Sequence, residues 1–528
     1  VANLFEHKDR RVIPNWRSFG KTTTLGELNS FQIQSAFAQQ ETSIDEYIID
    51  WKINKTVIHA ADLLSAALVN NKRDDKSLID AAYFILENRE RATLSQISLA
   101  NAILNKTEEK DLSERFNEVT LDKLPNLINP EPIRIKIRET KNLLRHYPTN
   151  AILYVELSRY YSILGQEVNS IRAMKSALHI APNNRFVLRC ATRLFAHYDT
   201  EENDHLDYIH NFLRKSPMTL IDPWLASAEI SIATIRNRTS KFINKGIELI
   251  NSKNISPFNF TELASSIGTV ELLNGGSKKS REFFNKALIS PNDNSLAQIE
   301  WASTKDNSLD INPSLFGVKM NFEALALDNF QNRQYDEALD NAAKWFIDMP
   351  FSKRPIMFGS NLASTILKDQ KRSIAFLNAG LMSHPNDPQI INNLAYALAL
   401  DNKPNEAFVQ LNKIHNEINC DHVTQICLTA TRGLAFFRSG FQDIGRKHYL
   451  DAIQQTKQIN NRELNWIAIL NYAREEIRLK SEYVEPLMDA VSKIPNDTKD
   501  FEISVLKKDV LELHQKMKDE QNSSSNQV

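Results

Sequence analysis

The residue types that do chemistry are present in this chain but not in the spacings that chemistry needs. Gly20-Lys21-Thr22 has the ending of a phosphate-binding loop, yet position 15 is Asn15, where such a loop needs its first glycine, and no strand pattern precedes it. Cys420-Asp421-His422 followed by Cys427 has the outline of a metal corner but lacks a fourth ligand close by, so buried, small apolar thiols are the competing reading. His197, His205 and His210 lie around a polar turn, and the twelve histidines are otherwise dispersed. Neither a Gly-x-Ser-x-Gly elbow nor a His-Glu-x-x-His helix occurs. No catalytic residue, metal ligand or cofactor is therefore assigned, and the expectation is a protein that is not an enzyme.

One segment does carry contact chemistry. Lys8, Arg10, Arg11, Arg17 and Lys21 are interleaved with Phe5, Trp16 and Phe19 near the N-terminus. Cations mixed with aromatic rings can hold phosphates and stack on bases, and they equally suit an arm that docks on protein, its own or a partner's. The chain as a whole gives nucleic acid little support, because 64 Lys+Arg stand against 65 Asp+Glu and the net charge is −1.

The elements that would position such residues are helical. With 528 residues the chain exceeds a single core, and only 13 glycines speak against folds built on glycine-rich turns. A composition of 42% apolar and 24% charged residues is that of a soluble folded protein. No apolar run is long enough to span a bilayer, no secretory leader is evident, and three cysteines do not make a disulfide framework, so a cytoplasmic location is expected.

The prolines then set a period. Pro148 to Pro182, Pro223 to Pro257 and Pro257 to Pro291 each span 34 residues, and Pro182 to Pro217 and Pro350 to Pro385 each span 35. A stop at that interval fits two helices of about a dozen residues with two short turns. In the clearest unit Tyr154, Leu157, Ser158 and Tyr161 share one helix face, Gly165 closes the helix, and Ser170, Met174, Ala177 and Pro182 mark a second. Gly268, Gly275, Ser280, Phe284 and Ala287 repeat part of this order, as do Gly433, Phe436, Gly440, Gly445, Tyr449 and Ala452. Small residues let two helices touch and large ones fill the neighbouring hole, so the order is a packing code.

That code resembles the tetratricopeptide repeat (TPR) family, with Met174 standing where an aromatic is usual. The resemblance implies an all-α fold, a right-handed superhelical solenoid of TPR-like helical hairpins, acting as a scaffold or adaptor that binds a peptide or helix of a partner protein in its concave groove. A ligand-responsive regulatory subunit and a nucleic-acid-associated subunit using the basic arm are the alternatives. Counting from the packing positions places Val155, Arg159 and Ser162, then Asn392, Tyr396 and Ala399, then Ala430, Leu434 and Phe437 on the groove. Of these, Arg159, Asn392, Tyr396, Leu434 and Phe437 are the candidate partner contacts, with Arg10, Arg11, Trp16 and Arg17 in the arm. The Lys and Asn set with which some family members clamp a C-terminal carboxylate is not repeated at the matching positions.

The expected organisation is a basic and aromatic arm over 1–43, degenerate helical hairpins over 44–105, a connecting segment and lead-in helix over 106–145, the repeat array over 146–455, capping helices over 456–518 and a disordered tail over 519–528. Leu506, Val510, Leu513 and Met517 form one apolar stripe in the last helix, suited to covering the final repeat or to a coiled-coil contact.

Overall fold

The computed structural model describes Trp16 and residues 44–69, 75–104, 129–198, 204–252, 255–306, 308–309, 311–318, 320–414, 420–496, 498 and 500–525. Arg10, Arg11 and Arg17 lie outside the described residues. Those that are described form 25 α-helices and no strand.

Helix starts are fixed by short polar caps. The Asn150 carboxamide accepts from the amides of Ile152 and Leu153, Asp222 from Trp224 and Leu225, and Asp387 from Gln389 and Ile390. Each satisfies first-turn N–H groups that have no partner within the helix. The prolines of the 34-residue period do not all play one role. Pro148, Pro182, Pro350 and Pro385 follow helix ends, whereas Pro223 and Pro257 are first residues of helices, where a missing N–H costs nothing.

The first four helices, α1 (Ile44–Ile53), α2 (Val57–Val69), α3 (Lys76–Glu87) and α4 (Leu94–Leu104), share a core of their own around Trp51, Leu63, Leu64 and Ile85. Helix α5 (Pro130–His146) then packs on the first hairpin, α6 (Ala151–Ile163) with α7 (Glu167–Ile180). Three further hairpins follow: α8 (Arg185–Tyr198) with α9 (His205–Lys215), α10 (Pro223–Ile235) with α11 (Ile243–Asn251), and α12 (Pro257–Leu273) with α13 (Ser277–Ala287). Helix α14 (Asp293–Ser303) has no second helix among the described residues, and a 3-10 turn at Pro313–Gly317 follows it.

Pairing resumes with α15 (Phe322–Gln331) and α16 (Tyr335–Asp348), α17 (Lys353–Asn361) and α18 (Gln370–Ser383), α19 (Pro388–Leu400) and α20 (Pro404–Leu411), and α21 (His422–Arg438) and α22 (Gln442–Gln458). It continues past the expected array boundary with α23 (Arg462–Leu479) and α24 (Val484–Ser492).

The packing code operates at the hairpin crossings. Ser158 and Ser170 hydrogen-bond side chain to side chain at 3.0 Å, and a Cβ at Gly268 would stand 3.0 Å from the Phe284 ring. Helix axes can approach this closely only because those positions lack bulk.

The solenoid also closes on itself. Helix α6 touches α18, more than 200 residues later in sequence. Gly165, at φ +65°, leaves room for Pro385: a Cβ there would stand 2.7 Å from its Cδ and 2.9 Å from the Ser383 carbonyl oxygen. The ring of His197 lies 5.3 Å from that of His384 and 5.8 Å from that of Phe351. One apolar core therefore runs from α6 through α10 directly into α15 and on to α23, while α10 to α14 enclose a second. Along this closed turn the first helices are buried all round: Pro223–Ala233, Asn259–Thr269 and Asn294–Ala302 are buried without interruption.

The last helix, α25 (Phe501–Ser525), uses its stripe on α23 and α24. Ile503, Leu506, Val510 and Met517 are buried with Leu470, Ala473, Ile477 and Val491, and Leu513 is half-buried beside them. Residues 519–525, expected as a disordered tail, are helical, and Glu520 pairs with Lys480 at 2.9 Å. The start of α25 reaches further back, with the Phe501 ring 5.8 Å from Phe330 and Asp509 paired with Lys368. The helix thus spans from the last hairpin to α15 and the connection between α17 and α18, beyond the single repeat it was expected to cover. Among the described residues no helix is long and apolar enough to cross a membrane.

Candidate functional site: a chamber among the first helices

The opening of interest lies between four consecutive first helices, α17, α19, α21 and α23. Lys353, Met357 and Ser360 face it from α17, Gln389, Asn392, Asn393 and Tyr396 from α19, Val423, Ile426, Cys427, Ala430 and Thr431 from α21, and Leu464, Ile467, Ala468 and Asn471 from α23. These recur at three- and four-residue steps, the spacing of one face on each helix. The chamber encloses about 210 Å³.

Toward their C-terminal ends the same helices converge and the chamber closes. Glu475 is the clasp: Arg438 binds it through Nε at 2.7 Å and Nη2 at 3.1 Å, and Arg474 Nε reaches it at 2.9 Å. Arg474 Nη1 donates to the Tyr396 hydroxyl at 3.2 Å, which in turn donates to Asn471 Oδ1 at 2.8 Å. Burial alone would raise the Glu475 carboxyl, but the two guanidiniums, Arg474 foremost, hold it below the usual carboxylate range.

At the chamber's outer rim Lys353 donates to Asp387 and to Gln389 Oε1, each at 2.7 Å, and Arg354 pairs with Glu323. Burial works to raise the Asp387 carboxyl, and the Lys353 ammonium outweighs it, leaving a net downward shift. Both lining cations thus arrive with a counter-charge. Glu502, on the first turn of α25, completes the wall, and burial pushes its carboxyl up to about 7, with Asp500 adding to the rise and Lys368 opposing it.

The result is an amphipathic cleft. One side is aliphatic, from Val423, Ile426, Leu464 and Ile467, and the other presents amides and hydroxyls. Asn392 is 6% exposed, and its Oδ1 has no hydrogen-bond partner among the described residues. A buried amide left half-satisfied is costly, and a ligand that reorients or pairs it recovers that cost.

Of the sequence-predicted groove residues, Asn392, Tyr396 and Ala430 line this chamber, and the others do not. Arg159 is 5% exposed, its Nε donating to the backbone carbonyl of Trp16 at 3.2 Å. Leu434 is fully buried, and Phe437 is wedged beside Tyr449 and Tyr472. Both lie on the correct face of α21 but in its C-terminal half, where the neighbouring helices have closed over it. Val155 and Ala399 are likewise core, and Ser162 bonds Ser170 at 2.7 Å inside its hairpin. Trp16 is fully buried against Phe351, so its ring is not presented for base stacking. The α23 residues and Glu502 were missed. The α23 positions sit beyond the last recognisable repeat, and Glu502 is brought in by a helix folding back.

The metal corner dissolves into local structure. Asp421 caps α21, accepting from the Thr424 amide and hydroxyl, and Cys427 lines the chamber. His210 pairs with buried Glu229 at 2.9 Å, away from His197 at the seam. Among the described residues no three His, Cys, Asp or Glu side chains gather as a metal site.

Antiparallel hairpins stacked in series, with small residues at their crossings, make an all-α helical-repeat solenoid, the fold that the sequence resemblance implies. No family model matches the chain, and no curated protein matches it. Among solved structures it is similar to the Cut9–Hcn1 hetero-tetramer of the APC/C, at 11% identity over 89% of this chain and 92% of that one, with a TM-score of 0.44. It is also similar to yeast Tom70, at 14% identity over 89% of this chain and 96% of that one, with a TM-score of 0.29. At these values the likenesses add nothing to what the packing itself defines.

Proposed function

We propose that this chain is a non-enzymatic adaptor of a reducing compartment such as the cytoplasm, and that it holds a peptide or helix of a partner protein in the chamber between α17 and α23. The observation that carries this reading is the cleft's two-sided character: aliphatic residues of α21 and α23 face amides and hydroxyls of α17 and α19. An apolar face with a polar edge is what an amphipathic segment needs. Asn392 and Tyr396 supply the polar recognition and Ala430 the floor.

The test is affinity purification from the native cells with the wild-type chain and an Ala430→Trp variant, which fills the chamber from a half-buried position. The expected result is a protein that accompanies the wild type and is lost from a folded Ala430→Trp chain. A partner set indifferent to that substitution would remove the chamber from the mechanism, and a chain that purifies alone would remove the adaptor reading itself.

A further inference from the structure

The polar groups of the chamber constrain what its occupant must carry. Lys353 and Arg354 line it already neutralised, the first by Asp387 at 2.7 Å and the second by Glu323. Glu502, the third charged residue of the described wall, makes no ion pair and no side-chain hydrogen bond among the described residues; its backbone N–H donates to Asp500 Oδ1 at 2.9 Å. Lys368, whose charge acts on it, is itself held by Asp509. Burial pushes the Glu502 carboxyl up to about 7, with Asp500 adding to the rise, so a cation placed beside it recovers a desolvation cost. The uncharged groups lean the same way. Lining donors are already spent: Asn471 Nδ2 on the Ile467 carbonyl at 2.9 Å, the Tyr396 hydroxyl on Asn471 at 2.8 Å, and Gln389 Nε2 on Thr424 Oγ1 at 3.5 Å. Asn392 Oδ1 has no donor among the described residues, although its side chain is 6% exposed. Its Nδ2 donates to Asn393 Oδ1 at 3.4 Å, so flipping the amide would set two acceptors together. One chamber thus holds two acceptors in want of donors, on α19 and on α25.

We infer that the chamber receives a lysine side chain of the bound partner segment, its ammonium serving Glu502 and the Asn392 carboxamide oxygen and its stem lying on Ile426, Leu464 and Ile467. This rests on the chamber being the binding site, as proposed above. The enclosed space of about 210 Å³ is below the roughly 300–1,000 Å³ of pockets that take whole small molecules, so it suits one long side chain and not the segment that carries it. An ammonium radiates three donors from one point and can serve acceptors on two helices, whereas the planar fork of arginine matches a single carboxylate. The four-carbon stem of lysine covers apolar wall while its head reaches the acceptors.

The experiment is a selection from a displayed library of random dodecapeptides on the full-length chain, with the Ala430→Trp chain as counter-selection. The surviving peptides should share a lysine flanked by apolar residues. The leading peptide, made fluorescent and read by anisotropy, should lose at least about tenfold in affinity when that lysine becomes norleucine, which keeps the stem and removes the charge. Glu502→Gln should cost a similar factor for the lysine peptide and little for the norleucine peptide. Peptides that need an open chamber but carry no lysine, or carry arginine or an acidic residue in its place, overturn the inference and leave the chamber as the site. A lysine peptide indifferent to Glu502→Gln does the same. Absence of any peptide sensitive to Ala430→Trp overturns the chamber reading as well. Should Glu502→Gln not fold, the wild-type chain decides alone, and equal affinity for the lysine and norleucine peptides refutes the inference.

Discussion

Replacing Gly445 with alanine tests the packing code at its tightest point. The new Cβ would stand 2.5 Å from Phe437 Cδ2 and 3.0 Å from the carbonyl oxygen of Gly433 across the α21–α22 crossing. Neither neighbour can step aside cheaply. The Phe437 ring is held with centroids 5.8 Å from Tyr449 and 6.1 Å from Tyr472, and the oxygen belongs to a helix backbone. Overpacking of this kind costs roughly 1–3 kcal/mol. Exchanging glycine for alanine inside a helix returns about 1 kcal/mol. Because ring and backbone are crowded together, the upper part of the range applies, and a net loss of about 1–2 kcal/mol is expected. Hydrogen exchange of α21 and α22 amides reads this locally, which suits an array whose hairpins need not unfold together. Gly317→Ala is the control, since nothing lies within 4 Å of its Cβ, and it should stay within about 0.5 kcal/mol. Adding Phe437→Leu to Gly445→Ala should recover at least about 0.5 kcal/mol of coupling. Unchanged or increased protection in Gly445→Ala, or no recovery in the double variant, would show that the crossing is not sterically set.

Two further substitutions probe the charges of the chamber. Glu475→Gln strips the counter-charge from Arg438 and Arg474, and breaking so buried a pair should cost about 3–5 kcal/mol in a thermal melt. Since the folded carboxyl titrates below its ordinary 4.5, its stabilisation is present above that pH and is lost as pH falls through the depressed value, so variant and wild type should converge in acid. Glu502 shifts the opposite way. Its contribution is complete below pH 4.5 and disappears as pH rises through about 7, so the first turn of α25 should exchange faster at pH 8 than at pH 5.5 after correction for intrinsic rates. Glu502→Gln should flatten that dependence.

The hairpin code was legible because it is local. Ser158 with Ser170, Gly268 with Phe284 and Gly433 with Tyr449 are pairs separated by roughly one helix and a turn, so helical spacing alone places them together. The groove was legible only in part. Counting along the helices leads to Asn392, Tyr396 and Ala430, which line the chamber, and equally to Leu434 and Phe437, which are buried in the core. Convergence depends on the angle between successive hairpins, which small deviations at each crossing decide and no periodicity records. The seam was invisible for the same reason: Gly165 and Pro385 read as ordinary turn residues, and their contact is the sum of all the rotations between them. Arg159 was assigned to a partner, when the occupant of its site lies in the same chain.

That seam changes how the molecule should gain and lose structure. In an open array each hairpin leans only on its neighbours, so the ends fray independently and folding starts wherever local stability is greatest. Contact between α6 and α18 adds an interaction that no neighbour supplies, and forming it requires closing a loop of more than 200 residues. The stretch between them therefore resembles a hoop more than a stack of coins. Assembly should finish with one slow step in which the hoop joins, and α6, though it stands at the head of the array, should unfold with the middle of the molecule and not before it.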